Sequence, residues 1–216
     1  MLRIKLLIAL ALFPALLLAQ EHASGPAEGD ELNGGELPPV VVSGSKTKVK
    51  YLVRPGTKLS KNMGIITTSV NSDFPLVREL GSVARTTKPF LVQDILLSIR
   101  SNHIPGSVAS INIYRIEGKN ESFVNVLHRP ICFDVGISDA PQHFDIQPEE
   151  AILLEPGRYF IAFQLADYDR NIPKTAEMTM DFYIYMKSSY LRESASGTME
   201  HFPVNIGIAV KGLEYQ

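Results

Sequence analysis

The chain has 216 residues, 45% of them hydrophobic, with 20% charged side chains and a formal net charge of −2. That length and apolar content suffice for one sizeable core, and the near-balance of charge excludes the basic footprint that nucleic-acid binding needs. Cys132 is the single cysteine, which excludes an intramolecular disulfide.

The N-terminus opens with Arg3 and Lys5, followed by an apolar run from Leu6 to Leu18 interrupted only by Pro14. Ala19 supplies a small residue, and polar sequence begins at Gln20 and Glu21. A charged head, a short apolar middle and a small-residue exit make a secretory signal peptide. The run of thirteen residues falls short of the roughly twenty that a spanning helix needs, and Pro14 disfavours an unbroken helix. Residues 1–19 are expected to be a signal peptide, with no transmembrane segment left after cleavage. The mature protein is expected in the periplasm or at the cell surface of a bacterium. No cysteine stands at the cleavage point to carry a lipid. Cleavage removes Arg3 and Lys5, leaving 19 basic against 23 acidic side chains, a charge of about −4. The basic stretch Lys46, Lys48 and Lys50 is too short and isolated to supply a nucleic-acid footprint.

Residues 20–45 read as a flexible linker. Glu21 to Pro39 is rich in Gly, Glu, Ala and Pro and lacks apolar periodicity, so it cannot bury enough surface to offset its ordering entropy. Val40-Val41-Val42 opens a short β-prone stretch closed by Ser43-Gly44-Ser45. From there to the end, residues 46–216 read as a single domain of short β-rich runs separated by turn residues. Lys50–Arg54 is closed by Pro55-Gly56, and Gly64–Val70 by Asn71-Ser72-Asp73. Leu76–Arg85 leads into Phe90–Ile99, which is apolar on both parities and so predicts a strand buried on both faces. Ser110–Ile116 alternates more cleanly and predicts a half-buried strand.

Ser122–Leu127 and Ile131–Val135 follow, broken at Arg129-Pro130, where proline cannot donate to a ladder. Phe144–Ile146, Ala151–Leu154 and Arg158–Leu165 come next, the last entered through the turn Glu155-Pro156-Gly157. Met178–Met186 places its methionines, Phe182 and Ile184 on one face, and Val204–Val210 forms the final predicted strand. No segment past residue 20 carries a helical stripe. The fold class expected is all-β: an antiparallel two-sheet β-sandwich, jelly-roll-like. Within it, Cys132 is expected to be a small buried hydrophobe, because an exposed free thiol is a liability in an oxidising compartment.

Several of these runs, taken in order, carry a resemblance. They are Val40-Val41-Val42-Ser43-Gly44, Arg78-Glu79-Leu80-Gly81-Ser82-Val83, Asp94–Ile99, Ile111-Asn112-Ile113-Tyr114 and Gly157–Phe163. Together they resemble the C-terminal β-sandwich region of exported proteins with a carboxypeptidase-like regulatory domain from Gram-negative, Bacteroidota-type bacteria. The similarity spans residues 40–216 and does not include the regulatory domain itself. It implies a periplasmic or surface accessory protein and no peptidase.

Local catalytic patterns are not found in the sequence. His22, His103, His128, His143 and His201 form no short-range metal spacing. There is no Gly-x-Ser-x-Gly elbow and no Gly-rich phosphate loop. The adjacent carboxylates Glu149 and Glu150 follow Pro148 and read as a solvated turn. Asp167, Asp169 and Asn171 begin as a calcium loop begins, but Ile172 and Met178 occupy the positions where Gly and Glu are needed. They are kept as weak metal candidates, and no cofactor is expected. Asn120-Glu121-Ser122 matches a glycosylation sequon, which matters only in a eukaryotic secretory pathway. Tyr183 and Tyr185 share one parity and are weak candidates for a sugar-binding platform, although no Trp is present. The function expected is a non-catalytic exported accessory domain that binds a protein or envelope component. A carbohydrate-binding module is the alternative, and a hydrolase with a dispersed site is less favoured.

Overall fold

Side chains that alternate between β-branched or aromatic and polar favour extended backbone, and fifteen strands form among the residues described by the structure, a computed structural model. Those residues are 47–53, 65–69, 78–181, 189–193, 197–203 and 205–215. The expected signal peptide, the linker, Val204, Tyr183 and Tyr185 lie outside them. The strands are β1 Thr47–Val53, β2 Ile65–Ser69, β3 Glu79–Thr86, β4 Phe90–Ile99, β5 Ser101–Asn102, β6 Ser107–Glu117, β7 Ser122–Asn125 and β8 Ile131–Val135. They continue with β9 Gln142–Ile146, β10 Ile152–Leu154, β11 Gly157–Asp167, β12 Glu177–Asp181, β13 Ser189–Arg192, β14 Glu200–Phe202 and β15 Ala209–Tyr215. No helix is present among the described residues.

All pairings are antiparallel. A five-stranded sheet runs β1-β15-β4, with β9 and β10 both against the far side of β4. A seven-stranded sheet runs β14-β13-β3-β11-β6, with β7 and β8 both against β6. The two larger sheets share one core, as a β-sandwich requires: Phe90, Ile95 and Ile99 from one and Ile111, Ile161 and Phe163 from the other belong to one buried cluster. A third sheet, β2-β12-β5, adds Met178 and Met180 to that core. At such sites an Ile-to-Ala truncation costs about 2–5 kcal/mol.

The structure corrects four sequence-based expectations. In β4 the apolar residues of both parities do not mark two buried faces. Lys211 pairs Asp94 while Gly212 pairs Val92, so Gln93 is the extra residue of a bulge. The bulge switches the inward parity from Phe90 and Val92 to Ile95, Leu97 and Ile99. Gly212 is required there, because a Cβ would lie 2.0 Å from the Leu91 carbonyl oxygen.

In β6 the outer face is buried as well. Tyr114 and Ile116 join Phe160, Ala162 and Tyr190 in a second cluster, packed by Val83, Phe123 and Met199. The final strand is β15, five residues later than expected. Gly207 adopts φ of 69°, a conformation that ends extended pairing, and Asn205 Oδ1 accepts from the Gly207 amide at 2.8 Å.

Cys132 is exposed and free. It does lie in a strand, but β8 is an edge strand whose inward parity belongs to Ile131, Phe133 and Val135. The opposite parity faces outward where nothing in the described chain covers it.

Candidate functional site

Proline shapes one edge of each large sheet. β7 pairs β6 over Tyr114–Glu117 and β8 pairs it over Ser107–Ile111. On the other sheet, β10 pairs β4 over Phe90–Val92 and β9 pairs it over Ile95–Ile99. Each edge is therefore split between two short strands, and a proline stands in each connector, Pro130 and Pro148. Neither can donate a ladder hydrogen bond, so both connectors leave the sheet.

The two connectors bound a groove of about 540 Å³, reaching from Val126–Cys132 to Ile146–Leu153. Leu127, Ile131 and Ile146 form its apolar floor and rest on the main core. Val126 and Leu153 stand at its mouth, 39% and 52% exposed. Arg129 reaches from one connector to Glu149 at 3.0 Å and Glu150 at 3.5 Å on the other. All three are well exposed, so each contact contributes about 0–1 kcal/mol at most. The turn expected for Glu149 and Glu150 is present, and it closes one end of the groove. Cys132 and His128 also line the groove. The thiol hydrogen of Cys132 points to the Pro130 carbonyl, with sulfur and oxygen 3.9 Å apart.

The remaining sequence candidates lie elsewhere. Asp167 accepts from the Tyr168 amide at 2.9 Å and from Arg170 at 3.0 Å. Asp169 donates its amide to the Pro105 carbonyl. Among the described residues, no three His, Cys, Asp or Glu side chains converge as metal ligands. His103 contacts Asp139 at 2.7 Å and His143 contacts Ser98 Oγ at 2.7 Å. Both are exposed and serve as loop and strand-end ties.

Sequence reasoning missed a buried carboxyl group. Glu79 is 1% exposed on the outer face of the seven-stranded sheet. Its Oε1 accepts from Tyr114 Oη at 2.7 Å and from Asn112 Nδ2 at 3.2 Å. Its Oε2 lies 2.6 Å from Arg192 Nη2, although the angles are not those of a hydrogen bond, and Arg192 Nε is buried without a partner among the described residues. Burial raises the Tyr114 phenol well above its ordinary range, and Glu79 adds to the rise. The network joins β3, β6 and β13. Its only sequence signal is the apolar context of Glu79, which does not specify burial.

Beside it, Arg158 donates to Glu121 at 3.0 Å and to the Tyr190 hydroxyl at 3.1 Å. His201 lies 3.3 Å from Glu121 and stacks 4.7 Å from the Tyr190 ring. The Tyr190 hydroxyl and the Arg158 guanidinium hold the Glu121 carboxyl below its usual range. Among the described residues Glu121 is the non-glycine residue at positive φ, 52°, and these contacts tie its turn to the sheet.

Glu79, Asn112 and Tyr114 thus form a buried polar tie between strands on the outer face of the seven-stranded sheet. The groove is apolar below, with Arg129, Glu149 and Glu150 among its lining. Comparison with family models, with curated proteins and with solved structures found no match to this chain. The resemblance to the sandwich region of exported regulatory-domain proteins rests on its sequence patterns alone.

Proposed function

We propose that this chain is an exported, non-catalytic accessory domain that binds a protein or envelope component in the groove between the two split edges. The carrying observation is the groove itself: two proline-broken connectors hold Val126 and Leu153 in solvent above a floor of Leu127, Ile131 and Ile146. Exposed apolar side chains at the mouth of a concave surface mark an interaction site. The Arg129 contacts to Glu149 and Glu150 are weak enough to exchange for contacts to a partner. The leader-like N-terminus and the sequence resemblance both favour an envelope setting.

The test compares capture from envelope extract by residues 20–216 with capture by the Leu153→Asp and Val126→Asp variants. Both side chains are exposed enough for the variants to retain the wild-type unfolding midpoint. A partner retained by the wild type and lost by both variants supports the reading. A partner retained equally by all three, or glycan binding on a polysaccharide array that ignores both substitutions, overturns it.

A further inference from the structure

Among the described strands β1 lies at a sheet edge. It pairs with β15 alone among the described strands, in unbroken register from Thr47 to Tyr51. An edge of this kind presents unpaired N–H and C=O groups along its free side, a template for another strand. Residues Thr47–Tyr51 are all exposed.

The two faces of β1 differ in chemistry. Val49, 56% exposed, and Tyr51, 37% exposed, lie on the outer face of the sheet. Val49 there continues a row through Leu213, Leu91 and Leu153 on successive strands. Lys48 and Lys50 point to the opposite face, the one that carries Phe90 and Val92 further into the sheet. Lys50 pairs with Glu214, and Lys48 and Lys88 also act on that carboxylate, which the three ammonium groups together hold below its usual range. Lys48 and Lys50 thus face a single carboxylate on this side of the sheet.

That arrangement selects among partners. In an antiparallel pair, directly opposite residues share a face, and like charges placed opposite repel. Two copies of β1 joined edge to edge with their faces aligned would set lysine against lysine. Inward-pointing charge on an edge strand is a known guard against such self-association. The same lysines attract a strand with carboxylates at the matching positions, and Val49 and Tyr51 favour β-branched or aromatic residues between them.

We propose that the free side of β1 is a strand-addition site for a partner segment in which acidic and β-branched residues alternate. Main-chain hydrogen bonds supply the pairing and alternate side chains the selectivity. This surface is distinct from the groove, and its test does not depend on the groove being a binding site.

The experiment titrates the mature chain, residues 20–216, with a labelled peptide alternating glutamate and valine, and with its lysine–valine counterpart, read by fluorescence anisotropy. The expected result is binding of the glutamate peptide alone, weakened by added salt, with slowed amide exchange across Thr47–Tyr51. The doubly reversed variant Lys48→Glu, Lys50→Glu should bind it at least about tenfold more weakly and should gain affinity for the lysine peptide. The variant's unfolding midpoint verifies that it folds.

Equal binding by the charge-reversed variant overturns the proposal, as does binding of both peptides alike. Polyphosphate competition without protection of the β1 amides would reduce the patch to a general anion surface and overturn it too. Protection of those amides already complete in the free mature chain would show the edge occupied by the chain itself, with the same consequence.

Discussion

Replacing Glu79 with leucine removes the central acceptor of the buried network while keeping much of its volume. Tyr114 Oη and Asn112 Nδ2 each lose a bond, of 2.7 and 3.2 Å, and Arg192 loses its ion-pair partner at 2.6 Å. Each buried donor left unsatisfied costs about 1–3 kcal/mol, and breaking a buried ion pair costs about 3–5 kcal/mol. Arg192 is partly accessible, its side chain 25% exposed, and water recovers part of that loss. A destabilisation of about 3–5 kcal/mol is therefore expected, against about 1–3 kcal/mol for Glu79→Gln, which keeps acceptors for Tyr114 and Asn112. The assay is urea unfolding followed by circular dichroism. Removing Arg192 as well, as Arg192→Met in the Glu79→Leu background, should recover stability, because it deletes the stranded charge. A Glu79→Leu cost under about 1 kcal/mol, the figure for an exposed pair, would refute the reasoning, as would strict additivity in the double variant.

Four further outcomes are expected. Burial raises the phenols of Tyr114, Tyr159 and Tyr190 above their ordinary value of 10. Ionisation is easier in the unfolded chain, so this stability is fully present below about pH 10 and is lost as pH rises towards the folded values. Denaturation midpoints measured at rising alkaline pH should fall, and Tyr114→Phe should flatten the fall. Gly81→Ala should unfold the domain or cost well above 3 kcal/mol, since a Cβ there would lie 1.8 Å from the Ile161 carbonyl oxygen; a thermal midpoint near wild type would contradict the register of β3 on β11. Cys132, exposed on edge strand β8, should react with a thiol reagent in the folded state at the rate of a free thiol. Its serine variant should keep stability within about 0.5 kcal/mol. Arg129→Ala should change stability by less than about 1 kcal/mol, because its partners Glu149 and Glu150 are solvated; a larger loss by urea titration would show the groove end to be structurally required.

Strand identity was legible in the sequence because it is a local property. Alternation over Ser110–Ile116 or Arg158–Leu165 marks extended backbone whatever lies beside it, and Pro130, Pro55-Gly56 and Pro156-Gly157 punctuate the runs. The all-β class followed from that alone. What lies on either side of a strand is not local. Ser110–Ile116 reads as half-buried because Asn112 and Tyr114 are polar, yet β6 sits in the seven-stranded sheet with Phe160 and Tyr190 packed on its outer face. Cys132 reads as buried because an exposed free thiol is a liability in an oxidising compartment, yet β8 lies on an edge. The mixed parity of Phe90–Ile99 was visible, but its cause, the unpaired Gln93, shows only in the register with β15.

The groove was legible only as two prolines nearly twenty residues apart, with nothing in the sequence to place their connectors together. Glu79 was hidden for the same reason: its partners Asn112, Tyr114 and Arg192 come from strands distant in sequence. Side-chain period determines which residues share a face, whereas sheet order decides whether that face meets a core, another layer or water. The first is set by backbone geometry within a few residues, and the second by long-range pairing, which only the folded chain displays.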